Sequence, residues 1–594
     1  MASKPARPVR KVNVLGAEAV FAQERDGTIY VRSPRPLGPY PVKLTERLEH
    51  WAAQAPDRTF LAQRDATGRW CRVSYAESLR LVRAIAQALL DRRLSAETPV
   101  AILSGNSIEH GLMALACMYA GVPYAPIAPS YSLASAELTT LRYIWDRLEP
   151  SLVFAADGAA FERPLAGVLD ARTELVTLTP PMSLRATPFE ELAGTPASAA
   201  VDDAHARVTA DTIAKILFTS GSTGRPKGVI TTQRMLCSNQ QMLRVLMGFL
   251  ADEPPVLCDW LPWNHTFGGS HNFGIVLYNG GTLYIDEGKP TSSGFAATLR
   301  NLREIPTTAY YNVPKGFEML APELRRDEAF RRHFFSRLQI LFYAAAGLKQ
   351  EIWDELQDIA VDTCGEEILI MAGLGATESA PMALSTNGEG AASGHVGLPV
   401  PGVELKITPV ETKLEARLRG PNITPGFWRD PVMTKAAFDN EGFYKLGDAL
   451  LFVDPEDPLK GFLFDGRIAE DFKLSTGTWV SVGPLRARFL SWFDGVAQDV
   501  VIAAPDRDYV SALIFPRPGA TPAAIRTLLQ SFARQATGIS TRIERAMLVH
   551  EPPSMDAGES TEKGTINQKA VLRTRAPLVE ELYAGSPRVI EIDL

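Results

Sequence analysis

Residues Leu217–Val229 read LFTSGSTGRPKGV, placing four hydroxyls, three glycines and two cations in thirteen positions. Gly221, Gly224 and Gly228 let backbone amides approach an anion closely. Thr219, Ser220, Ser222 and Thr223 add hydrogen-bond donors, and Arg225 and Lys227 add positive charge. The stretch therefore has the composition of a phosphate grip. A Walker loop, G-x-x-x-x-G-K-[ST], would open directly into a helix. Here Lys227 follows Pro226 and precedes Gly228, and the next residues, VITT, are β-branched and read as a strand. With the apolar run AKILF leading in, the grammar is strand–loop–strand. That excludes the Walker type.

Working outward, strands and helices alternate. Helical periodicity runs through LTERLEHWAAQ from Leu44 and through Tyr75–Leu90. PVAILSG reads as a buried strand, Ile108–Ala120 as a helix, and VPYAPIA, SLVFAA and ELVTL as further strands. A second cycle follows the grip: helix Arg234–Phe249, then strands in VLCDWLP, GGTLYI, LQILFYAAAG and ILIMAGLG. This pattern predicts a doubly wound α/β architecture with parallel sheet. After Gly394 short alternating runs (VELKITPV, EARLRG, LLFVD, GFLFDGR) predict a small antiparallel, barrel-like β subdomain. From about Glu470 a smaller α+β unit carries its own strands and helices. The expected organisation is an irregular arm over 1–40, a large domain over 41–468 and a small C-terminal domain over 469–594.

A length of 594 residues implies roughly two to four domains. Sixty-eight acidic against 61 basic residues leave a net charge of −7, which gives no electrostatic case for a nucleic-acid partner. The five cysteines form no CxxC pair and read as reduced thiols rather than a zinc site. MASKPARPVRKVNV has no apolar run behind it, and the apolar stretch from Gly111 is broken by Gly121 and Pro123. A cytoplasmic protein with no membrane partner is expected, as a monomer or homodimer.

Thr219–Gly228 resembles the signature T-S-G-[ST]-T-G-x-P-K-G of the adenylate-forming superfamily, and four further segments follow in that family's order. LGATES (Leu374–Ser379) resembles Y-G-x-T-E, with Leu374 replacing the tyrosine that stacks on adenine. AAAGL (Ala344–Leu348) stands where the family has its adenine loop. YKLGD (Tyr444–Asp448) resembles Y-x-T-G-D, and GRIAEDFK (Gly466–Lys473) resembles G-R-x-x-D-x-I-K. The resemblance implies that Thr219, Ser220, Gly221, Ser222, Thr223, Gly224 and Lys227 hold the phosphates of ATP. It implies that Ala345, Ala346, Gly347 and Gly375 border the adenine, that Thr377 touches the α-phosphate, and that Glu378, with Thr219, holds Mg²⁺, a hard cation suited to oxygen ligands. Asp448 falls to the ribose hydroxyls, and Arg467 to the ribose or phosphate. Ala469 stands at the position about which the family's small domain rotates. A lysine near the end of the chain reaches the substrate carboxylate; Lys563 is the candidate and Lys569 the reserve.

The implied chemistry has two steps. A carboxylate attacks the α-phosphate of ATP, giving acyl-AMP and pyrophosphate; a group of pKa ~4.3 is already ionised, so no general base is needed. CoA then attacks the acyl carbonyl through its thiol, of pKa ~8.5. WLPWNHTFGGSHNFG (Trp260–Gly274) occupies the place of the family's acyl-pocket segment, with His265 near the carboxylate. Aromatic residues continue through Tyr278, Tyr284, Tyr310, Tyr311 and Phe317, which favours an apolar, aromatic acid. Together with YYNVPKGFEML and EKGTINQKAVL, these segments resemble bacterial feruloyl-CoA synthetases, implying a hydroxycinnamate such as ferulate or p-coumarate. A ligase passing acyl-AMP to a carrier protein, or a nucleotide-binding protein without catalysis, are the alternatives.

Overall fold

The computed structural model describes residues 7–135, 137–220, 225–388, 390–503, 505–554, 557–560 and 566–592. A seven-stranded sheet runs, edge to edge, through Pro226–Thr232, Ile213–Ser220, Tyr124–Pro126, Val100–Ile102, Leu152–Asp157, Glu174–Thr179 and Thr187–Pro188. All neighbours but the first pair are parallel. Strand Val100–Ile102 is buried on both faces, which is why its residues are apolar without alternation. The helix Ile108–Ala120 that follows is buried nearly all round. Ser107 caps its start by accepting from the His110 amide, and Gly121 ends it at φ +74°, a left-handed stop.

A second sheet of eleven strands begins with the parallel set Ala309–Asn312, Ile340–Tyr343 and Leu369–Gly375. It continues antiparallel through Met382–Ser385, His395–Pro399, Phe462–Arg467, Tyr444–Phe452, Lys413–Arg419 and Glu404–Val410. The antiparallel strands expected as a barrel-like unit thus hydrogen-bond onto the parallel ones. Period-two alternation fixes which face of a strand is buried but not which backbone edge it shares. A four-stranded sheet, Val256–Asp259, Thr282–Ile285, Thr59–Arg64 and Trp70–Ser74, completes this part. One hydrophobic core joins the strands and helices of all three sheets.

Part of the stretch expected as an irregular arm is paired into a sheet. Val20–Gln23 and Ile29–Arg32 form a hairpin that adds to the large sheet, with Glu404 opposite Arg32. Ahead of it Val9 bridges to Glu367, and the Arg10 guanidinium holds Glu366 at 2.7 Å and the Leu338 carbonyl at 2.6 Å. Arginine and proline content pointed to irregular chain; the pairing edge offered by Glu404–Val410 overrides it.

Beyond Arg467 a one-turn helix, Ile468–Glu470, leads into a four-stranded sheet of Ala497–Ala503, Val510–Pro516, Ile543–Leu548 and Val589–Glu591 with its own apolar core. The connection is pinned by Asp471, which pairs with the buried Lys413 ammonium at 2.7 Å and accepts from the Val482 amide at 2.9 Å. No helix among the described residues is long and apolar enough to cross a membrane.

Candidate active site

The strand–loop–strand grammar of the opening stretch is present as an antiparallel hairpin. Ser220 lies opposite Pro226 and Thr219 opposite Lys227. Gly221, Ser222, Thr223 and Gly224, the tip, lie outside the described residues. Gly228 is closely packed: a Cβ there would stand 3.0 Å from Ile216 and 3.2 Å from the Phe218 ring. The Thr219 hydroxyl is buried without a hydrogen-bond partner among the described residues, an oxygen still in need of a ligand.

Lys227 leans from the hairpin onto the next element. Strand Leu369–Gly375 turns sharply into the one-turn helix Thr377–Ser379, and a Cβ on Gly375 would stand 1.8 Å from the Pro381 carbonyl. The turn buries Thr377 and Glu378. Glu378 Oε1 receives the Lys227 ammonium at 2.6 Å and the Tyr444 hydroxyl at 2.9 Å. Lys227 also lies 4.6 Å over the Phe427 ring, which restricts its motion. Burial and the adjacent Glu378 carboxylate push the Tyr444 phenol far above its ordinary range, so it stays a donor at any working pH.

Tyr444 begins the strand that ends its motif at Asp448, and Asp448 stands opposite Arg467 across the ladder, Oδ1 to Nε 3.5 Å. Burial pushes the Asp448 carboxyl up to about 6; Arg467 opposes the rise and Glu378 adds to it. Arg467 is itself mostly exposed. Ala345, Ala346 and Gly347 follow strand Ile340–Tyr343 as an exposed turn, with Ala345 left-handed at φ +75°. Leu374 is half-buried against the main core, an apolar surface in place of a ring. Among the described residues, the sequence-predicted nucleotide residues thus sit on the hairpin of one sheet and, on the larger sheet, at the ends of Ile340–Tyr343, Leu369–Gly375 and Phe462–Arg467, with Asp448 within Tyr444–Phe452. In open α/β sheets, ligands collect outside the carboxyl ends of strands.

The acyl-pocket segment follows strand Val256–Asp259. His265 closes a turn onto the Pro262 carbonyl, its Nδ1 accepts from the Phe267 amide at 3.3 Å, and Phe267–Asn272 form a π-helix. Such widened turns leave carbonyls short of partners and recur at functional sites. Here the side chains supply them: the Lys215 ammonium donates to the Gly269 carbonyl at 2.8 Å, and Gln240 Nε2 to those of Ser270 and His271 at 2.9 and 3.2 Å. Burial pulls Lys215 down to about 7.

The aromatic run divides. Phe267 and Tyr311 gather with Phe342 around His271, whereas Tyr310 and Phe317 pack into a separate core with Phe334. Tyr278 is bound to Gln241 and Arg47, and Tyr284 edges onto Trp70. Successive strand residues face opposite sides, so Tyr310 and Tyr311 could not both line one pocket. Lys215, His271, Phe427 and Tyr444 were not picked out by sequence, although Tyr444 lay inside the YKLGD motif and His271 inside the quoted WLPWNHTFGGSHNFG segment.

Lys563 lies outside the described residues. Lys569 is exposed in the first turn of helix Gln568–Thr574 and is an electrostatic neighbour of Glu470 in the connecting turn. Among the described residues no cluster of three or more His, Cys, Asp or Glu side chains could hold a metal by itself. Glu378 and the Thr219 hydroxyl, which has no hydrogen-bond partner among the described residues, are oxygen donors of the kind that would hold a Mg²⁺ ion.

The profile of the family described as "AMP-binding enzyme" matches residues 48–428, and that of "AMP-binding enzyme C-terminal domain" matches 473–587. A 3-[(3aS,4S,7aS)-7a-methyl-1,5-dioxo-octahydro-1H-inden-4-yl]propanoyl:CoA ligase of Rhodococcus jostii is 24% identical over 76% of this chain and 85% of its own. A 3-hydroxybenzoate–CoA/4-hydroxybenzoate–CoA ligase of Thauera aromatica is 26% identical over 52% of this chain; the match spans just over half, 56%, of that relative. The fold is shared with an anthranilate CoA ligase solved with anthranoyl-AMP, at a TM-score of 0.71, 20% identity, and coverage of 92% and 99% of the two chains. With the phosphate hairpin, the Thr377–Glu378 turn and the Asp448–Arg467 pair joined in one fold, the chain belongs to the AMP-binding enzyme family of adenylate-forming enzymes.

Proposed function

We propose that the protein is an ATP-dependent acid–thiol ligase that converts a hydroxycinnamate such as ferulate or p-coumarate to its CoA thioester through an acyl-AMP. The observation that carries the adenylation step is the Lys227–Glu378–Tyr444 cluster at the mouth of the phosphate hairpin. The obstacle in this step is repulsion between two anions, and held cations with fixed donors answer it. Lys227 supplies one positive charge. Glu378 and Thr219 would hold Mg²⁺, which when bound supplies further charge to the phosphate oxygens. Thr377 reaches the α-phosphate, and Asp448 with Arg467 takes the ribose hydroxyls. His265 stands at the carboxylate end of the acyl site. No side chain is required to remove a proton from the acid, which is ionised at neutral pH.

The aromatic character of the acid is supported by Phe267, Tyr311 and Phe342 beside the His265 segment. The relatives whose names specify hydroxybenzoate and anthranilate act on ring acids, which favours the same class here. CoA as acceptor is supported by the CoA ligase names of the curated relatives. Pyrophosphate release across a panel of aryl and alkyl acids, with and without CoA, tests the reading. Cinnamate-dependent release that gives thioester when CoA is present is expected. Release with hexanoate but none with cinnamates overturns the substrate; no acid-dependent release overturns the adenylation.

A further inference from the structure

Lys215 is 1% exposed, and no described acidic side chain pairs with its ammonium; burial alone acts on its charge. An apolar residue would fill this place in the core at less cost. What the amine adds is one hydrogen bond, from Nζ to the Gly269 carbonyl at 2.8 Å. In an α-helix that carbonyl would receive the amide four residues on, that of Phe273. Here the Phe273 amide goes to the Gly268 carbonyl, five residues back, as the widened turn requires. Lys215 brings the Gly269 carbonyl a charged donor from the neighbouring sheet.

Gly269 also holds His265. Its amide donates to the His265 carbonyl at 2.8 Å, while the His265 amide donates to the Pro262 carbonyl at 3.1 Å. A Cβ on Gly269 would overlap the Trp263 carbonyl oxygen, and one on Gly268 that of Leu261, so the start of the π-helix lies directly against that backbone. In packing this close, a shift of Gly269 passes to His265. The imidazole is oriented in the same turn: Nδ1 accepts from the Phe267 amide, so Nε2 carries the hydrogen and is a donor, the kind of group a carboxylate takes. Lys215 stands on strand Ile213–Ser220. Regular pairing from Lys215 opposite Thr231 to Thr219 opposite Lys227 puts Lys215 and Thr219 on one face of it. One strand thus carries a candidate phosphate residue and the brace of the segment that bears His265.

We propose that Lys215 is a positioning residue for His265, an inference that rests on placing His265 at the carboxylate end of the acyl site. Through Gly269 it fixes the turn that presents the imidazole to the acid, in register with the strand that enters the phosphate hairpin. Lys215 then acts on the acid although its strand belongs to the nucleotide side. Two anions react only when both are held in place, and a small misplacement of either is costly.

The test measures pyrophosphate release with CoA present for the wild type, Lys215→Met, His265→Ala and the double variant. First 4-hydroxycinnamate is varied at saturating ATP, then ATP at saturating acid. Lys215→Met should lower kcat/KM for the acid by about 10- to 100-fold, while KM for ATP stays within about twofold. Once the imidazole is gone Lys215 has nothing left to position, so the double variant should fall within about twofold of His265→Ala alone. Lys215→Gln, which keeps a neutral donor, should retain part of the wild-type value, and it replaces Lys215→Met in the cycle if that variant does not fold. Multiplied losses in the double variant, an equal rise of both KM values, or wild-type acid kinetics in Lys215→Met overturns the role of Lys215. Wild-type kinetics in His265→Ala overturns the placement of His265 instead, and the inference falls with it. A wild type that accepts hexanoate but no cinnamate overturns only the substrate; the same cycle with hexanoate then decides Lys215, whose hydrogen bond does not depend on a ring. No acid-dependent release overturns the adenylation and the inference together.

Discussion

The Lys227 ammonium stands 2.6 Å from Glu378 Oε1, joining the phosphate hairpin to the turn that carries the metal-ligand candidate. Both groups are largely withdrawn from water, at 22% and 7% side-chain exposure. Each therefore depends on the other for compensation of its charge. The pair keeps two opposite charges folded in place beside the hairpin.

Breaking this pair from one side leaves a buried carboxylate uncompensated. Lys227→Met should destabilise the large domain by about 3 kcal/mol. The double variant Lys227→Met/Glu378→Gln should recover part of that loss. Melting temperatures of the two variants check it; a double variant less stable than the single would show the pair is not the source. Both variants should lack pyrophosphate release.

Tyr444→Phe removes one hydrogen bond to Glu378 and leaves the ring packing. Adenylation should fall by about tenfold, a loss typical of a hydrogen bond to a charged group. The Mg²⁺ concentration for half-maximal activity should rise, and binding of Mn²⁺ with ATP, followed by its electron spin resonance, should weaken in parallel.

Asp448 introduces a pH dependence. Its folded pKa, about 6, lies above the ordinary value near 4, so it is neutral below pH 6 and an ionised acceptor above it. kcat/KM for ATP should therefore fall as pH drops through 6, and Asp448→Asn should lack that limb. The same shift lowers stability as pH rises from about 4 to about 6, where the unfolded carboxyl has released its proton and the folded one resists doing so.

Lys215 works in the opposite sense. Its folded pKa of about 7 lies below the unfolded value of about 10.5, so the unfolded chain binds more protons between the two. Its burial costs most below pH 7, and the cost shrinks as pH rises toward 10. The melting temperature of the wild type relative to Lys215→Met should accordingly climb from pH 7 to pH 9. A constant difference would show that the amine is charged in the folded protein.

Lys563→Ala should cripple adenylation yet spare thioester formation from supplied acyl-AMP, while Lys569→Ala should leave both close to wild type. Equal loss of both half-reactions in Lys563→Ala would refute its assignment to the carboxylate.

Much of the nucleotide site was legible because local rules govern it. A glycine and hydroxyl run between two strands has few uses, and Thr377, Glu378, Asp448 and Arg467 each stand in a short motif that can be read locally, Thr377 and Glu378 just after a strand, Arg467 at a strand end and Asp448 within one. The acyl side was less legible. Tyr278, Tyr284, Tyr310 and Phe317 carry the same chemistry as Tyr311, and only the facing of each strand and helix sorts them into core or site. The hairpin in the N-terminal arm was hidden for a related reason: the pairing partner of Ile29–Arg32 lies nearly four hundred residues away.

LFTSGSTGRPKGV by itself determined that two strands flank a glycine and hydroxyl run, because β-branching after Lys227 forbids a helix there. What only the tertiary structure decided is which distant groups complete the site. Glu378 and Tyr444 reach Lys227, and Lys215 and Gln240 reach the π-helix, from elements far apart in sequence. Periodicity reports which face of an element is buried; partnership across a core depends on how whole elements pack.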